Sequence, residues 1–393
     1  MKKVFLFSLF LVLGLVLSQC LPVWLGEAFL TAEKVAKTLM FVCLAFIMIN
    51  VGREFELDKT KWRSYAADYF IAMATAAVPW IMVAFYYMFL LPADLFGNWD
   101  AWKENLLLSR FAAPTSAGIL FTMLAAAGLR REWIYNKTQV LAIFDDLDTI
   151  LLMIPLQIFM IGFKWQLFAV VIVITFLLVI GWKKLGTIRL SQTWKSILFY
   201  AVCIVAVTES IYLLTKWMMG ADGAIHIEVL LPAFVLGMVM KTVHQHGNRD
   251  EKITGMISYL FMFLVGLSTP QFIGIDHGHR ITEAVGIIAA QPMPSWEVLV
   301  VHVIVVTLLS NLGKMFPLFF YRDRQLEERL ALSVGMFTRG EVGAGIIVIA
   351  MGYNLGGPAL IISVLSLVLN LLLTGGFVVI VKRLAQQAYG LKE

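Results

Sequence analysis

Leu141 to Leu156 reads LAIFDDLDTILLMIPL, an apolar run that carries Asp145, Asp146 and Asp148. On the insertion scale an aspartate at mid-bilayer costs about 2.5 to 3.5 kcal/mol, so three together cost roughly 8 to 10 kcal/mol. Each Leu, Ile, Phe or Val returns only ~0.3 to 0.6 kcal/mol. Val140 to Ile161 holds thirteen such residues, which return roughly 6 kcal/mol in all. The carboxylates win, so a helix built from this stretch cannot face lipid on every side. Its acidic face must look into a bundle, onto a cation or into a water-filled cavity. A fixed salt-bridge network is the structural alternative, but acids at this depth mark ion pathways by default.

Helical geometry separates the three. Successive residues diverge by ~100°, so Asp145 and Asp146 point to different neighbours, whereas Asp145 and Asp148 share a face. One carboxylate can hold a fixed partner while the next lines a cavity. A proton and a metal ion seek the same oxygens and cannot both be held, which is the physical basis of exchange.

The rest of the chain fixes the solvent. Of 393 residues 60% are hydrophobic and 15% charged, against about 25% charged in soluble domains. The apolar residues cluster in runs near the ~20 needed to span a bilayer. The expected fold is all-α and polytopic, with candidate spans centred roughly on residues 12, 44, 79, 116, 150, 174, 205, 234, 264, 308, 340 and 370. Residues 1–393 read as a single transmembrane transporter domain with no appended soluble domain. The net charge of +5 points to no nucleic acid, because a basic surplus is what the positive-inside rule produces. With the amino terminus inside, the inner stretches hold 22 Lys and Arg and the outer ones 6. Both termini are therefore expected in the cytoplasm, in a cell (inner) membrane. The remaining three, Arg110, Lys314 and Arg339, fall inside spans.

Other features decide less. Cys20, Cys43 and Cys203 lie in or beside apolar runs and read as packing residues. Residues 1–20 combine a basic start with an apolar run, as a signal peptide does, and are read as a retained helix. His244, His246, His277 and His279 read as solvated loop positions rather than metal ligands. No phosphate-binding loop occurs, so ion gradients rather than ATP would drive transport, and no cofactor is expected.

Three further stretches carry polar groups into the membrane. Ser109 to Leu124 reads SRFAAPTSAGILFTML. Pro114 lacks an amide donor, and Thr115 and Ser116 follow it. An interrupted helix is tolerated only where its backbone meets protein or lines a cavity; a simple proline kink is the duller reading. Arg110, one turn earlier, either pairs with an acid or snorkels outward. Leu308 to Asp323, LLSNLGKMFPLFFYRD, holds Lys314. Ser333 to Ala350, SVGMFTRGEVGAGIIVIA, places Arg339 and Glu341 mid-span, either as a self-neutralising pair or as the second break of an inverted-repeat transporter. The halves share little visible identity, so the repeat rests on where spans 4 and 11 are interrupted.

IFDDLDTILL, APTSAG, the Lys314 segment and GMFTRGEVGAGIIV together resemble the monovalent cation:proton antiporter superfamily, in particular its bacterial sodium/proton branch with a paired-aspartate motif. FIMINVGREFELDKTKW, LLPAFVLGMVM and LFMFLVGLS support the likeness, which runs in order over nearly the whole chain. The resemblance implies that Asp146 is the principal carrier of Na+ and protons and that Asp145 pairs with Lys314. It implies that Thr115 and Ser116 lie at the crossing of two unwound helices and that Glu341 helps to hold the opposite crossing. It also implies a homodimer, and a core of spans 3–5 and 10–12 moving against the remaining spans. Asp148, Arg53 and Phe144 depart from the family pattern. These departures bear on ion preference and proton stoichiometry rather than on class.

The expected function is exchange of Na+ (or Li+) for H+ by alternating access, electrogenic because two acids and a lysine can titrate, and serving pH homeostasis. The alternatives are a K+/H+ antiporter and a sodium-coupled symporter of an organic anion on a similar fold, which would want sodium sites rich in Asn, Gln and Glu, clusters in which the chain is poor. Enzymatic activity is not expected: an intramembrane aspartyl protease needs two aspartates sharing a proton, and these two are adjacent on one helix and aim apart.

Overall fold

The computed structural model describes residues 2–26, 28–54, 62–130, 132–161, 166–184, 186–219, 229–240, 248–268, 286–353 and 355–390. Among them the chain is all-helical, with no strand and a single isolated bridge between Ile188 and Met240. The helices are α1 (Lys2–Leu25), α2 (Ala28–Glu54), α3 (Trp62–Leu90), α4 (Trp99–Ser109), α5 (Ala117–Ala126), α6 (Trp133–Ile161), α7 (Gln166–Lys183), α8 (Trp194–Met219), α9 (Leu230–Val239), α10 (Asn248–Leu267), α11 (Trp296–Gly313), α12 (Leu326–Gly335), α13 (Glu341–Gly352) and α14 (Gly357–Tyr389). The sequence runs centred near residues 116 and 340 are each divided, into α4 and α5 and into α12 and α13.

Among the described residues six stretches are long and apolar enough to cross a membrane: Lys34–Arg53, Arg63–Leu90, Trp99–Ala125, Trp194–Met218, Trp296–Phe319 and Gly357–Tyr389. Helix α6 has 29 residues, with the three aspartates near its middle. The protein is a polytopic, all-helical membrane protein.

The residues fall into two compact units. One comprises residues 27–60 and 161–264. Within it α2 and α9 cross where Gly52 meets Gly237, and a Cβ on either would run into the backbone of the other helix. Arg53, in the last turn of α2, donates to Asn50 Oδ1 at 3.0 Å and to Gln192 Oε1 at 3.0 Å. Its charge is thus used to hold the connection before α8.

The other unit comprises residues 1–26, 61–160 and 265–393. A buried polar ladder joins its α11 and α14. Thr307 Oγ1 and Ser366 Oγ are 2.9 Å apart, and Asn311 Nδ2 donates to Asn370 Oδ1 at 3.0 Å. The Tyr87 hydroxyl of α3 joins Ser363 Oγ at 2.7 Å. At the end of α11 a Cβ on Gly313 would lie 2.5 Å from Pro79 Cα, so α11 and α3 touch backbone to backbone just before Lys314. Helix α14 starts at Gly357, whose φ of 75° suits glycine and where a Cβ would strike the Ile288 carbonyl oxygen. Pro358 follows at the first turn, where its missing amide is no loss.

Candidate functional site

Every described site residue belongs to the second unit. Helix α4 ends at Ser109, a short 3-10 turn covers Arg110–Ala112, and α5 begins at Ala117. Pro114 lies in the gap. Ser116 caps α5, its hydroxyl accepting from the Ile119 amide at 3.4 Å. Across from it α12 ends at Gly335 and α13 begins at Glu341.

The two gaps answer each other. The Ser116 amide donates to the Thr338 carbonyl at 3.0 Å, and the Thr115 hydroxyl to the Met336 carbonyl at 3.1 Å. A Cβ on Gly340 would stand 2.7 Å from Ser116 Oγ, so the strands of unwound chain are in contact. Backbone groups stripped of helical partners in hydrocarbon cost several kcal/mol each. Here one break supplies acceptors for the other.

The carboxylates lie beneath this crossing. Asp145 Oδ2 accepts from Lys314 Nζ at 2.7 Å and from the Thr115 amide at 2.8 Å. Both side chains of the ion pair are fully buried. Asp145 Oδ1 is buried with no hydrogen-bond partner among the described residues, and so keeps lone pairs for a cation or a proton. Asp146 and Asp148 are buried too, at 4% and 2% exposure. The Tyr69 hydroxyl faces the Asp148 carboxylate.

Two arginines complete the cluster, and neither reaches water. Arg110 lies over the Trp80 ring at 4.5 Å and donates through Nη2 to the Asp148 main-chain carbonyl at 3.0 Å. Of the two fates the sequence left open, it takes neither in full: it stays inside, and its bond goes to a backbone oxygen. Arg339 donates to the carbonyls of Met336 (3.1 Å), Phe337 (3.3 Å) and Ser310 (3.3 Å). It thereby places a positive charge at the carboxyl end of α12, where the helix dipole favours one. The Glu341 side chain lies outside the described residues, as do His244, His246, His277 and His279; the Glu341 backbone opens α13.

The cluster's formal charges cancel: three aspartates face Arg110, Lys314 and Arg339, all buried. Arg110 is within electrostatic reach of Asp145 and Asp148, Lys314 of Asp146 and Arg339, and Arg339 of Asp145. Among the described residues no group of three or more His, Cys, Asp or Glu is arranged to hold a resident metal.

Trp80, Tyr69 and Ser310 were not marked by the sequence. An aromatic ring under a guanidinium and a carbonyl accepting from one leave no spacing pattern. Asn311 and Asn370 did carry a signal, as amides set in apolar runs.

A bundle of membrane helices, two of them broken and crossing over buried acids and a lysine, is the build of a membrane transporter. The sequence agrees with this: residues 2–385 match the family model described as sodium/hydrogen exchanger, transmembrane. The chain belongs to the sodium/hydrogen exchanger family, whose members exchange monovalent cations for protons across a membrane. No curated protein gives a significant match to it.

Proposed function

We propose that the protein exchanges Na+ (or Li+) for H+ across the cell's inner membrane by alternating access, with net charge movement and a role in pH homeostasis. The observation that carries this reading is the buried Lys314–Asp145 pair, 2.7 Å long, beside a second buried acid at Asp146. Lys314 occupies the oxygen that a cation would seek. Entry of Na+ at Asp146 and Asp145 displaces the lysine from Asp145, and two protons leave as the metal arrives, one from the Asp146 carboxyl and one from the freed Lys314 ammonium. On the opposite side the lysine and protons return. With Asp146 and the Lys314–Asp145 pair both able to exchange protons, two protons per cation follow, and so does charge movement.

The broken helices support the same reading. The amino ends of α5 and α13 and the carboxyl ends of α4 and α12 converge near the acids, giving partial charges of both signs without further side chains. Pro114, Thr115, Ser116, Arg339 and Glu341 would hold this crossing. Asp148, with Arg110 on its carbonyl, modifies the local field. The termini are cytoplasmic on the charge count, and a homodimer is the expected assembly.

The test uses proteoliposomes loaded with a pH-sensitive dye. An imposed Na+ gradient drives proton flux in the wild type, and a K+ gradient of the same size drives little. Asp146→Asn abolishes the flux while the protein still inserts. Flux with K+ alone transfers the assignment to K+/H+ exchange, and full activity in Asp146→Asn removes that residue from the carrier role.

A further inference from the structure

A second buried ionic junction lies in the same compact unit as the carboxylate–lysine site, away from the helix crossing. Asp68, on α3, is 1% exposed. Its carboxylate accepts from Lys137 Nζ at 2.8 and 3.1 Å and from the Tyr321 hydroxyl at 2.7 Å. Lys137 stands on α6 eight residues before Asp145, about 12 Å along the axis. Tyr321 follows Lys314 by seven residues, where the chain leaves α11 through the short turn Phe316–Phe319. The two donors on Asp68 thus come from the two segments that carry the ion pair.

The surroundings hold this geometry tightly. Tyr321 is in the left-handed region at φ 52°, a strained conformation for a residue with a side chain, kept only where its contacts over-determine it. The Trp133 ring meets Tyr321 edge-on at 5.7 Å, Lys137 Nζ lies 5.0 Å from the Tyr321 ring, and Arg324 lies 5.0 Å from the Trp133 ring. Burial, and then the negative charge of Asp68, push the Tyr321 hydroxyl well above its ordinary pKa. It is therefore a standing proton donor. A buried ion pair adds little net stability over an apolar contact of the same shape. What it adds is direction: two donors meet one carboxylate at hydrogen-bond length, which ties α3 and α6 to the chain leaving α11.

We propose that Asp68 is a positioning residue for ion exchange: the Asp68–Lys137–Tyr321 junction sets the register between the helix of Asp145 and the segment of Lys314, and so the tightness of their pair. All three members fall in the same compact unit as the pair, so the junction travels with it rather than opening between bodies. The inference rests on the exchange reading above, in which Lys314 and Na+ compete for Asp145. A loosened register weakens the lysine's hold and leaves Asp145 easier for Na+ to take.

The test measures Na+-dependent thermal stabilisation of the purified full-length protein, with NaCl replacing choline chloride at constant ionic strength. Asp68→Asn lowers the half-saturating Na+ concentration about threefold, and Tyr321→Phe about twofold, in the wild-type background. In a Lys314→Ala background either substitution moves it by less than about 1.5-fold, since the pair through which Asp68 acts is gone. A purely structural role would give the same shift in both backgrounds and would overturn the proposal. So would a Na+ response untouched by either substitution. If Asp68→Asn fails to yield folded protein, Tyr321→Phe, which removes one oxygen, carries the same comparison. A wild type that neither responds to Na+ nor exchanges it for protons refutes the exchange reading and this inference with it; the other negative results refute the inference alone.

Discussion

Replacing Lys314 with alanine gives a measurable account of the central pair. The lysine and Asp145 are both fully buried, 2.7 Å apart. Removing one member of such a pair leaves an uncompensated charge and costs about 3 to 5 kcal/mol. Asp145 keeps the Thr115 amide at 2.8 Å and the nearby charge of Arg339, so the loss belongs at the low end, about 3 kcal/mol. At about 2 °C per kcal/mol for a chain of this size, the apparent melting temperature in sodium-free detergent falls by roughly 6 °C. The double variant Lys314→Met, Asp145→Asn removes both charges and stays within about 1 kcal/mol of the wild type. Na+ then separates the singles: it restores part of the loss in Lys314→Ala, because a bound cation stabilises the state that holds it, and restores little in Asp145→Asn. Thermal unfolding followed by intrinsic fluorescence reads all of these. If Lys314→Ala melts with the wild type, or the double variant falls as far as the single, the pair is not a desolvated ion pair and the argument from competition fails.

Three other outcomes follow. Gly340→Ala forces a methyl to within 2.7 Å of Ser116 Oγ, which costs about 1 to 3 kcal/mol and slows exchange at least tenfold in proteoliposomes; activity equal to wild type would show that the crossing has slack. Asn370→Leu breaks the bond to Asn311 and, as interhelical bonds in membranes average about 0.6 kcal/mol, lowers the apparent melting temperature by only a degree or two without abolishing exchange. Arg110→Lys loses the planar contact with Trp80 and is no conservative change; it costs about 1 to 2 kcal/mol in the same unfolding assay.

Much of the design is legible in the residues. The membrane class, the all-helical fold and the two interruptions near Pro114 and Gly340 follow from where polar groups sit in apolar runs, because hydrocarbon penalises each of them. The partnership of Asp145 with Lys314 came from resemblance and not from spacing, since 169 residues separate the two. Arg110 and Arg339 resisted reading for a different reason. Their acceptors are main-chain carbonyls of Asp148, Met336, Phe337 and Ser310, and every residue has a carbonyl, so side-chain identity cannot mark which ones are used. Asp68 was missed because it stands near the end of a span, where an acid is cheap and attracts no notice; only its burial between Lys137 and Tyr321 distinguishes it.

The stitch between the two breaks also bears on how the chain is made. The Thr115 hydroxyl and the Met336 carbonyl that takes its hydrogen are 221 residues apart. At about 5 to 20 residues per second the ribosome needs roughly 10 to 45 s to supply the second from the first. Through that interval Asp145 can already answer the Thr115 amide, but the Ser116 amide and the Thr115 hydroxyl lack their partners on the second break. The order of synthesis thus makes α12 and α13 the completion of α4 and α5.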